Sequence, residues 1–540
     1  MSTDLDLDLR SIQEARDAAV SARAAQRAFM AVDQAGVDRI CEAMATAAFD
    51  ASARLGQMAH EETGYGVADH KRLKNEFASR DVWASIRAIR TVGLLRRDEA
   101  SGVAEYGWPV GVLAALSPST NPTSTAMFKI LIAVKARNAI VVAPHPSSVG
   151  CTAETTRLMA AAGEAAGMPP GLVQCLTTIT QSGTTALMEH HATAMILATG
   201  GAGMVAAAHS VGKPALGVGP GNVPVYVDRS ADVARAAADI VHSKAFDRST
   251  ICATEQTVVA DAPIAEQLRR EMVAAGAHWL SREQAGRLGP QLFRSGGLLD
   301  ARFVGRSPQA IGELAGIDVP ADARILVADL EGVGPEHPLS REKLTTVLGF
   351  MVEDGWRAGC ERSIELLRFG GDGHSLVIHA TDQDVIHAFG VEKPAFRILV
   401  NTWGTFGAIG GTTDLMPSMT LAPGGIGGAV VSDNITVQHV LNVKRVAFET
   451  ARPPEAAWGD GVLPAAATAP APALTGSAPL PPSTTASRAV DGAASRAADG
   501  APAERASAPT PRPRELGSRA DDPELVASIR RRVIAQLEGS

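Results

Sequence analysis

The chain has 540 residues, 46% of them hydrophobic and 20% charged, which is enough for two or three domains with cores of their own. A formal net charge of −8, only 4% aromatic residues and no long basic block argue against a nucleic-acid-binding protein. The start, MSTDLDLDLR, lacks a secretory signal, and Lys135 and Arg137 interrupt the most apolar stretch. We therefore expect a soluble, cytoplasmic protein without a membrane-spanning segment.

Five cysteines are scattered along the chain: Cys41, Cys151, Cys175, Cys252 and Cys360. They are odd in number and form no C-x-x-C pair, which argues against a disulfide framework and a zinc cluster. We expect no metal site. One of these thiols is instead a candidate for chemistry.

Apolar residues at helical spacing between Ser11 and Met58 predict consecutive amphipathic helices. After them, strand-like and helix-like segments alternate. The predicted strands are Val110 to Leu116, Ala139 to Ala143, QCLTTIT, AMILATG, VPVYVD, TVVAD, RILVADL, HSLVIHA and FRILVNT, and the predicted helices are Cys151 to Ala166, SGTTALMEHH, Ala231 to Phe246 and Ala265 to Ala274. This alternation predicts an α/β fold with a doubly wound, mostly parallel sheet and a second α/β domain.

Composition changes after about Arg452, where Ala, Pro, Ser and Thr dominate up to Ala520. Such a stretch buries too little apolar surface to offset its ordering entropy, which predicts a disordered linker. The last residues, DDPELVASIRRRVIAQLEGS, place Asp522 as a helix cap and Pro523 at the first helical position. Their apolar residues share one face, which predicts a short amphipathic helix.

Cys252 lies in KAFDRSTICATEQTVVAD, on a loop between a predicted helix and a predicted strand. Its small and polar neighbours suit an accessible nucleophile, although a free cysteine is more often a buried structural residue. Asn121, in STNPTS, follows a predicted strand and has an amide that can donate to a developing oxyanion, although Asn before Pro is commonly a turn former.

A glycine-rich turn follows the strand AMILATG and precedes an alanine-rich helix. Its residues Thr199, Gly200, Gly201 and Gly203 let a phosphate approach a helix N-terminus, which makes the turn a candidate dinucleotide clamp. The pattern GGAG is not the G-x-G-x-x-G fingerprint, so a plain tight turn is the alternative.

Four segments together resemble successive signatures of the CoA-acylating aldehyde dehydrogenases: SPSTNPTSTAMFKILIAVKARNAIVVAPHP, ATGGAGMVAAAHSVGKPALGVGPGNVPVYVD, FDRSTICATEQTVVAD and LSREKLTTVL. The likeness spans about Arg10 to Glu449 and keeps the motif order. It is similar both to the aldehyde dehydrogenase half of aldehyde-alcohol dehydrogenases and to microcompartment propionaldehyde and acetaldehyde dehydrogenases.

The resemblance implies roles for several residues. Cys252 matches the family nucleophile, Asn121 its oxyanion donor, and Thr199 to Gly203 its cofactor-phosphate turn. Glu342, in SREKL, falls where the superfamily has a carboxylate that binds the nicotinamide-side ribose, although by itself it would be taken for a solvated charge. His374, in GDGHS, matches a recurrent position, and we expect a hydrogen-bonded structural histidine there.

One departure from the wider superfamily bears on the product. Hydrolytic members carry a water-activating Glu in L-E-L-G-G-K, whereas ALGVGPGNVP puts Val218 at that place and no carboxylate nearby in sequence. Without that base, water should attack an acyl-enzyme slowly. We therefore expect coenzyme A to be the acyl acceptor.

The resemblance also implies the cofactor, NAD, and a domain plan with a Rossmann-type cofactor domain. Since residues 143–146 lack the ribose-binding carboxylate of many NAD-preferring relatives, NADP is not excluded. We expect the N-terminal helices and the dinucleotide-binding domain in 1–225, and the catalytic domain with the cysteine in 226–415. Residues 416–451 are expected to return to the cofactor domain or to mediate oligomerisation. The linker is expected over 452–520 and an amphipathic targeting helix over 521–540.

The expected partners are a short-chain aldehyde, CoA, a second copy of the chain in a homo-oligomer and, through 521–540, a bacterial microcompartment shell protein. We expect no nucleic-acid or membrane partner. Two alternatives stay open: a hydrolytic aldehyde dehydrogenase that produces a carboxylic acid, and a non-catalytic assembly protein. A bifunctional enzyme is not expected, since the chain after Glu449 reads as a linker that cannot house an alcohol dehydrogenase domain.

Overall fold

The computed structural model describes residues 6–294 and 296–451. The predicted linker over 452–520 and the predicted helix over 521–540 lie outside the described residues. No helix within the described ranges is both long enough and apolar enough to cross a membrane.

The described chain begins with helices, as the periodicity predicted. Helix α1 (Leu7–Phe29) starts where the Asp6 carboxylate accepts a hydrogen bond from the Leu9 N–H, and α2 (Gln34–Asp50) starts at Asp33 in the same way. Helices α3 (Ser52–Thr63), α4 (Ala68–Glu76) and α5 (Val82–Ile86) follow, with one π-helical turn between the last two. Strands β1 (Gly93–Asp98) and β2 (Val103–Pro109) then form an antiparallel pair.

A parallel sheet of five strands follows. Its strands are β3 (Val112–Leu116), β4 (Ala139–Ala143), β5 (Val173–Cys175), β6 (Thr193–Thr199) and β7 (Ala215–Val218), in the order β5-β4-β3-β6-β7. The connecting helices are α6 (Pro122–Lys135), α7 (Val149–Ala165), α8 (Gln181–Glu189) and α9 (Ala202–Ser210). The prediction of a strand through QCLTTIT was wrong beyond Cys175, because the Thr177 and Thr178 N–H groups donate to the Glu14 carboxylate instead of to a neighbouring strand.

The second parallel sheet has seven strands. They are β8 (Val223–Val227), β9 (Glu255–Asp261), β10 (Ala277–Trp279), β11 (Ile325–Asp329), β12 (Val347–Glu353), β13 (Leu376–His379) and β14 (Ile398–Val400), in the order β10-β11-β12-β9-β8-β13-β14. The helices between and after them are α10 (Val233–Ala245), α11 (Ala265–Ala274), α12 (Arg282–Leu292), α13 (Pro308–Ala315), α14 (Gly355–Arg368), α15 (Gln383–Glu392) and α16 (Gly404–Ile409). The two sheets confirm the predicted α/β class with parallel strands.

A third, antiparallel sheet was not predicted from the sequence. Strand β15 (Leu441–Ala447) pairs with the free edge of β2, which gives the order β1-β2-β15. The register joins Leu441 to Pro109, and most of β15 is exposed. Exposed strands with so little apolar patterning carry a weak local signal, and the pairing partner lies far away in the chain.

Candidate active site

The site lies where the order of the five-stranded sheet reverses. Strands β3 and β6 are neighbours, but the chain goes on to β4 on one side and to β7 on the other. The carboxyl ends of two such strands form the crevice in which open α/β sheets bind ligands. Asn121 caps the helix that follows β3, and the Thr199 to Gly203 turn follows β6. The fold thus brings these two predicted sites to one edge.

The glycine turn has room for a phosphate. Gly201 caps α9, and a Cβ added at Gly201 or at Gly203 would meet no atom within 4 Å. Gly200 is closer to its surroundings, since a Cβ there would lie 2.9 Å from the Met204 sulfur. Thr199 ends β6, where its hydroxyl shares a 3.1 Å hydrogen bond with Thr420. The open space before a helix N-terminus fits an anionic group of a dinucleotide.

Cys252 lies on a tight loop between a 3-10 turn at Phe246–Ser249 and β9. The loop is held by Thr254, whose N–H and hydroxyl both donate to the Ile251 carbonyl, at 3.0 and 2.6 Å. The Cys252 side chain is half-buried. As predicted, the residue follows a helical segment and precedes a strand.

Asn121 is bonded to the Cys252 loop. Its Nδ2 donates to the Thr250 carbonyl at 2.9 Å, two residues before Cys252, and its second N–H meets the hydroxyl of the adjacent Thr120 at 3.2 Å. Asn121 and Thr250 are far apart in sequence and meet only because the start of α6 packs on the Cys252 loop. The bond places an amide donor on the loop that carries the thiol, and an oxyanion formed on that thiol would need such a donor.

Glu342 is half-buried rather than the solvated charge that its neighbours in sequence suggest. Its Oε1 accepts a hydrogen bond from the Gly221 N–H at 2.7 Å. Burial raises the pKa of this carboxyl to about 7, against the opposing effects of the Gly221 hydrogen bond and the charges of Lys244 and Lys343. Glu342 therefore changes charge near neutral pH.

Gly221 lies against both Glu342 and the Cys252 backbone, although sequence reasoning did not single it out. A Cβ there would lie 2.5 Å from the Cys252 carbonyl oxygen and 3.0 Å from the ring of His374. Val218, three residues earlier, pairs with Thr199. Three residues span at most about 11 Å, so the phosphate turn, Glu342 and the Cys252 backbone lie along one short segment. The glycines of GVGPGN were the available signal, since close backbone approach requires glycine.

His374 is buried beside this segment. Its Nδ1 shares a 3.1 Å hydrogen bond with the Ser375 hydroxyl, and no protein partner for its Nε2 exists among residues 6–294 and 296–451. Burial, and then the charge of Arg397, lower its pKa to about 3, so the ring is neutral. Nδ1 is thus hydrogen-bonded, as a structural histidine requires, whereas Nε2 has no hydrogen-bond partner among the described residues.

Burial and the two neighbouring charges do not all shift the pKa of the Cys252 thiol in the same direction. Burial raises the pKa of the thiol to about 12, the Glu342 carboxylate adds to that rise, and Arg397 opposes it. Arg397 is buried and held by the carbonyls of Ala422 and Ser432, at 2.9 and 3.2 Å. It follows Phe396 in the segment FRILVNT, where nothing in the sequence sets it apart. Burial also raises the pKa of Cys175 to about 12, so the neighbours of Cys252, and not its acidity, distinguish it.

Comparisons with known proteins identify the family. The profile of the aldehyde dehydrogenase family matches residues 7–291. The aldehyde-alcohol dehydrogenase of Streptococcus pneumoniae is 41% identical over 74% of this chain, which covers 46% of that protein. The chain thus spans about half the length of such relatives. The acetylating succinate-semialdehyde dehydrogenase of Clostridium kluyveri is 33% identical and is covered over 97% of its length by 81% of this chain.

Solved structures of aldehyde dehydrogenases are similar to this chain over most of its length. An acetylating aldehyde dehydrogenase from Geobacillus thermoglucosidasius is 49% identical, with a TM-score of 0.82 over 83% of this chain and 99% of that one. A propionaldehyde dehydrogenase from the fucose-utilisation microcompartment of Clostridium phytofermentans is 26% identical, with a TM-score of 0.73 over 80% of this chain and 97% of that one. A Rhodopseudomonas palustris propionaldehyde dehydrogenase, solved with CoA and an acylated cysteine, is 25% identical, with a TM-score of 0.73 and coverages of 80% and 97%.

The family profile covers more than half of the chain, and relatives with acylating activity in their names match it over most of the described residues. The candidate site holds a cysteine on a loop that is bonded to an amide donor, and a glycine turn with open space before a helix. The chain belongs to the aldehyde dehydrogenase family.

Proposed function

We propose that this chain is an NAD-dependent, CoA-acylating aldehyde dehydrogenase that converts a short-chain aldehyde to an acyl-CoA through a thioester on Cys252. The observation that carries the proposal is the bond from the Asn121 amide to the Cys252 loop, 2.9 Å long, at the edge that also holds the glycine turn. The names of the acylating relatives support the choice of acyl acceptor.

The residues present fit a nicotinamide dinucleotide. In the proposal, the Thr199 to Gly203 turn holds the pyrophosphate and Glu342 the nicotinamide-side ribose. The bound cofactor supplies the hydride acceptor. We propose NAD because the family resemblance favours it, although residues 143–146 carry no carboxylate for the adenosine ribose. Rates measured with NAD and NADP side by side test this choice.

Acylation begins at the Cys252 sulfur. The thiol gives up its proton to solvent, and the sulfur forms a bond to the aldehyde carbon while one carbonyl electron pair moves to oxygen. The oxyanion is stabilised by the Asn121 Nδ2–H and the Cys252 backbone N–H. It collapses to a thioester when the C–H electron pair leaves as hydride.

Deacylation completes the cycle. The sulfur of CoA attacks the thioester carbon, the Cys252 sulfur leaves, and the proton of the CoA thiol restores the Cys252 thiol. Val218, only 2% exposed at the end of β7, offers no group that could activate water. The acyl-enzyme is therefore expected to last until a thiol arrives.

Omitting CoA is expected to leave a burst of reduced cofactor about equal to the enzyme concentration, followed by slow turnover. Stopped-flow absorbance of the reduced cofactor measures both phases. The Cys252→Ala variant, which cannot form the thioester, is the control and should show no burst. Steady oxidation without any thiol would instead support the hydrolytic alternative.

We also propose that the enzyme is a homo-oligomer and a cytoplasmic microcompartment cargo, targeted by residues 521–540. The support is the sequence pattern of that segment and the name of the Clostridium phytofermentans relative. A helix as short as the one predicted for this segment is marginal by itself in water, so the apolar pattern of its sequence implies a partner surface.

Deleting residues 521–540 is expected to leave turnover in solution unchanged and to release the enzyme from shell protein. Co-sedimentation with assembled shells measures the release, and a fluorescent reporter fused to the segment should be recruited. A reporter that binds anionic vesicles and ignores shells would show that the three arginines at 530–532 serve a membrane surface instead.

A further inference from the structure

A buried cluster of charges lies behind Asn121, and the proposed mechanism does not use it. It consists of Lys71 and Lys74 on α4 and Asp247 on the loop before Cys252, which are 2%, 1% and 0% exposed. Both ammonium groups pair with Asp247 Oδ2, Lys71 at 3.2 Å. Burial works against the ionised carboxylate, but the charges of Lys74 and Lys71 outweigh it and lower the pKa of Asp247 to about 2.

Lys74 alone of the two lysines bonds to the predicted oxyanion donor. Its Nζ donates to Asn121 Oδ1, to Asp247 Oδ2 and, at 3.3 Å, to the Thr250 hydroxyl. Lys71 Nζ instead donates to the Thr120 carbonyl at 3.0 Å and to Asp247. An ammonium group can only donate, so the amide of Asn121 must turn its oxygen toward Lys74 and its N–H groups away from it.

Asp247 also holds the loop that leads to the nucleophile. Asp247, Arg248 and Ser249 have φ values of 45°, 52° and 65°, a left-handed run that side chains other than glycine rarely adopt. The Asp247 carboxylate accepts hydrogen bonds from the Val67 N–H at 2.7 Å and from the Thr250 hydroxyl at 2.6 Å, and its own N–H donates to His70 at 2.8 Å. The same group therefore fixes Lys74 and the loop.

We propose that Lys74 is a positioning residue for thiohemiacetal formation: anchored by Asp247, it holds the oxygen of the Asn121 amide, so that Nδ2 faces the Cys252 loop. One of the two N–H groups can then exchange its present acceptor, the Thr120 hydroxyl or the Thr250 carbonyl, for the oxyanion formed on Cys252. The inference rests on the proposed function, in which Asn121 binds that oxyanion. Lys74 touches neither the aldehyde nor the cofactor in this scheme.

Lys71 offers a matched control. It is buried to the same degree, lies on the same helix and pairs with the same carboxylate oxygen, but it has no bond to Asn121. We expect Lys74→Met in the full chain to lower kcat for aldehyde oxidation about 10- to 100-fold, since a misdirected oxyanion donor loses part of its 10²- to 10³-fold effect. Lys71→Met should lower kcat by less than about 3-fold, and cofactor KM should stay the same in both.

Alkylation of Cys252 by iodoacetamide tests the reactivity of the thiol without the oxyanion donor, because this displacement reaction forms no oxyanion. Its rate should be unchanged in Lys74→Met, although aldehyde oxidation falls. If Lys74→Met does not fold, as judged by thermal melting, Lys74→Gln keeps an N–H donor without the charge. It should retain at least half of the wild-type kcat, and kcat as low as in Asn121→Ala would overturn the proposal.

A double-mutant cycle ties the effect to Asn121. In the Asn121→Ala background, adding Lys74→Met should cause no further loss of kcat, because the amide that it positions is gone. If Asn121→Ala is costly but Lys74→Met matches Lys71→Met, or slows alkylation as much as oxidation, the positioning role is wrong and the proposed function stands. If Asn121→Ala itself lowers kcat only slightly, the oxyanion assignment is wrong, and the positioning role that rests on it is wrong as well.

Discussion

Replacing Cys252 by alanine is expected to abolish aldehyde oxidation, with a loss of at least about 10⁴-fold in kcat, because the proposed thioester forms on the Cys252 sulfur. The fold and cofactor binding should stay intact, since the half-buried thiol lies on a loop and fills little of the core. Steady-state formation of reduced cofactor measures the loss, and fluorescence titration with NAD checks binding.

Cys175→Ala is the matched control for this experiment. Cys175 is also half-buried and its pKa is also raised to about 12, but it ends β5, at the edge of the first sheet. We expect its replacement to leave kcat within about 2-fold of wild type, as is usual for substitutions away from the chemistry. An equal loss of activity in a folded Cys175→Ala protein would show that the wrong cysteine had been chosen.

Replacing Asn121 by alanine is expected to lower kcat about 10²- to 10³-fold, the usual effect of removing one oxyanion donor. The aldehyde KM should change much less, because the missing hydrogen bond forms only as charge develops on the carbonyl oxygen. Single-turnover formation of reduced cofactor isolates this step from CoA transfer.

Asn121→Asp distinguishes a donor from a packing role. The carboxylate has nearly the same shape but cannot donate when ionised, and it would repel an oxyanion. It should therefore be at least as slow as Asn121→Ala at neutral pH. Near-normal activity in Asn121→Asp would mean that the side chain acts through its shape or through its bond to the Cys252 loop alone.

Local patterns predicted the parallel-sheet core well. Strand Ala139–Ala143 and helix Ala265–Ala274 were predicted with the bounds that the structure has, because buried strands read as continuous apolar runs and amphipathic helices carry a clear period. The QCLTTIT segment was misread, because Glu14 on α1 takes the backbone donors that a neighbouring strand would otherwise satisfy. That competition arises from a residue far away in the chain.

The sequence by itself determined the class of fold, the family likeness and the candidate residues, because strand and helix periods, glycine turns and the Cys252 segment are local features of the chain. Only the tertiary structure decided what surrounds them. Asn121 meets Thr250 across 129 positions, Lys74 meets Asp247 across 173, and Gly221 meets Glu342 across 121. These contacts depend on how whole elements pack, and no local pattern records which distant partner a buried polar group will find.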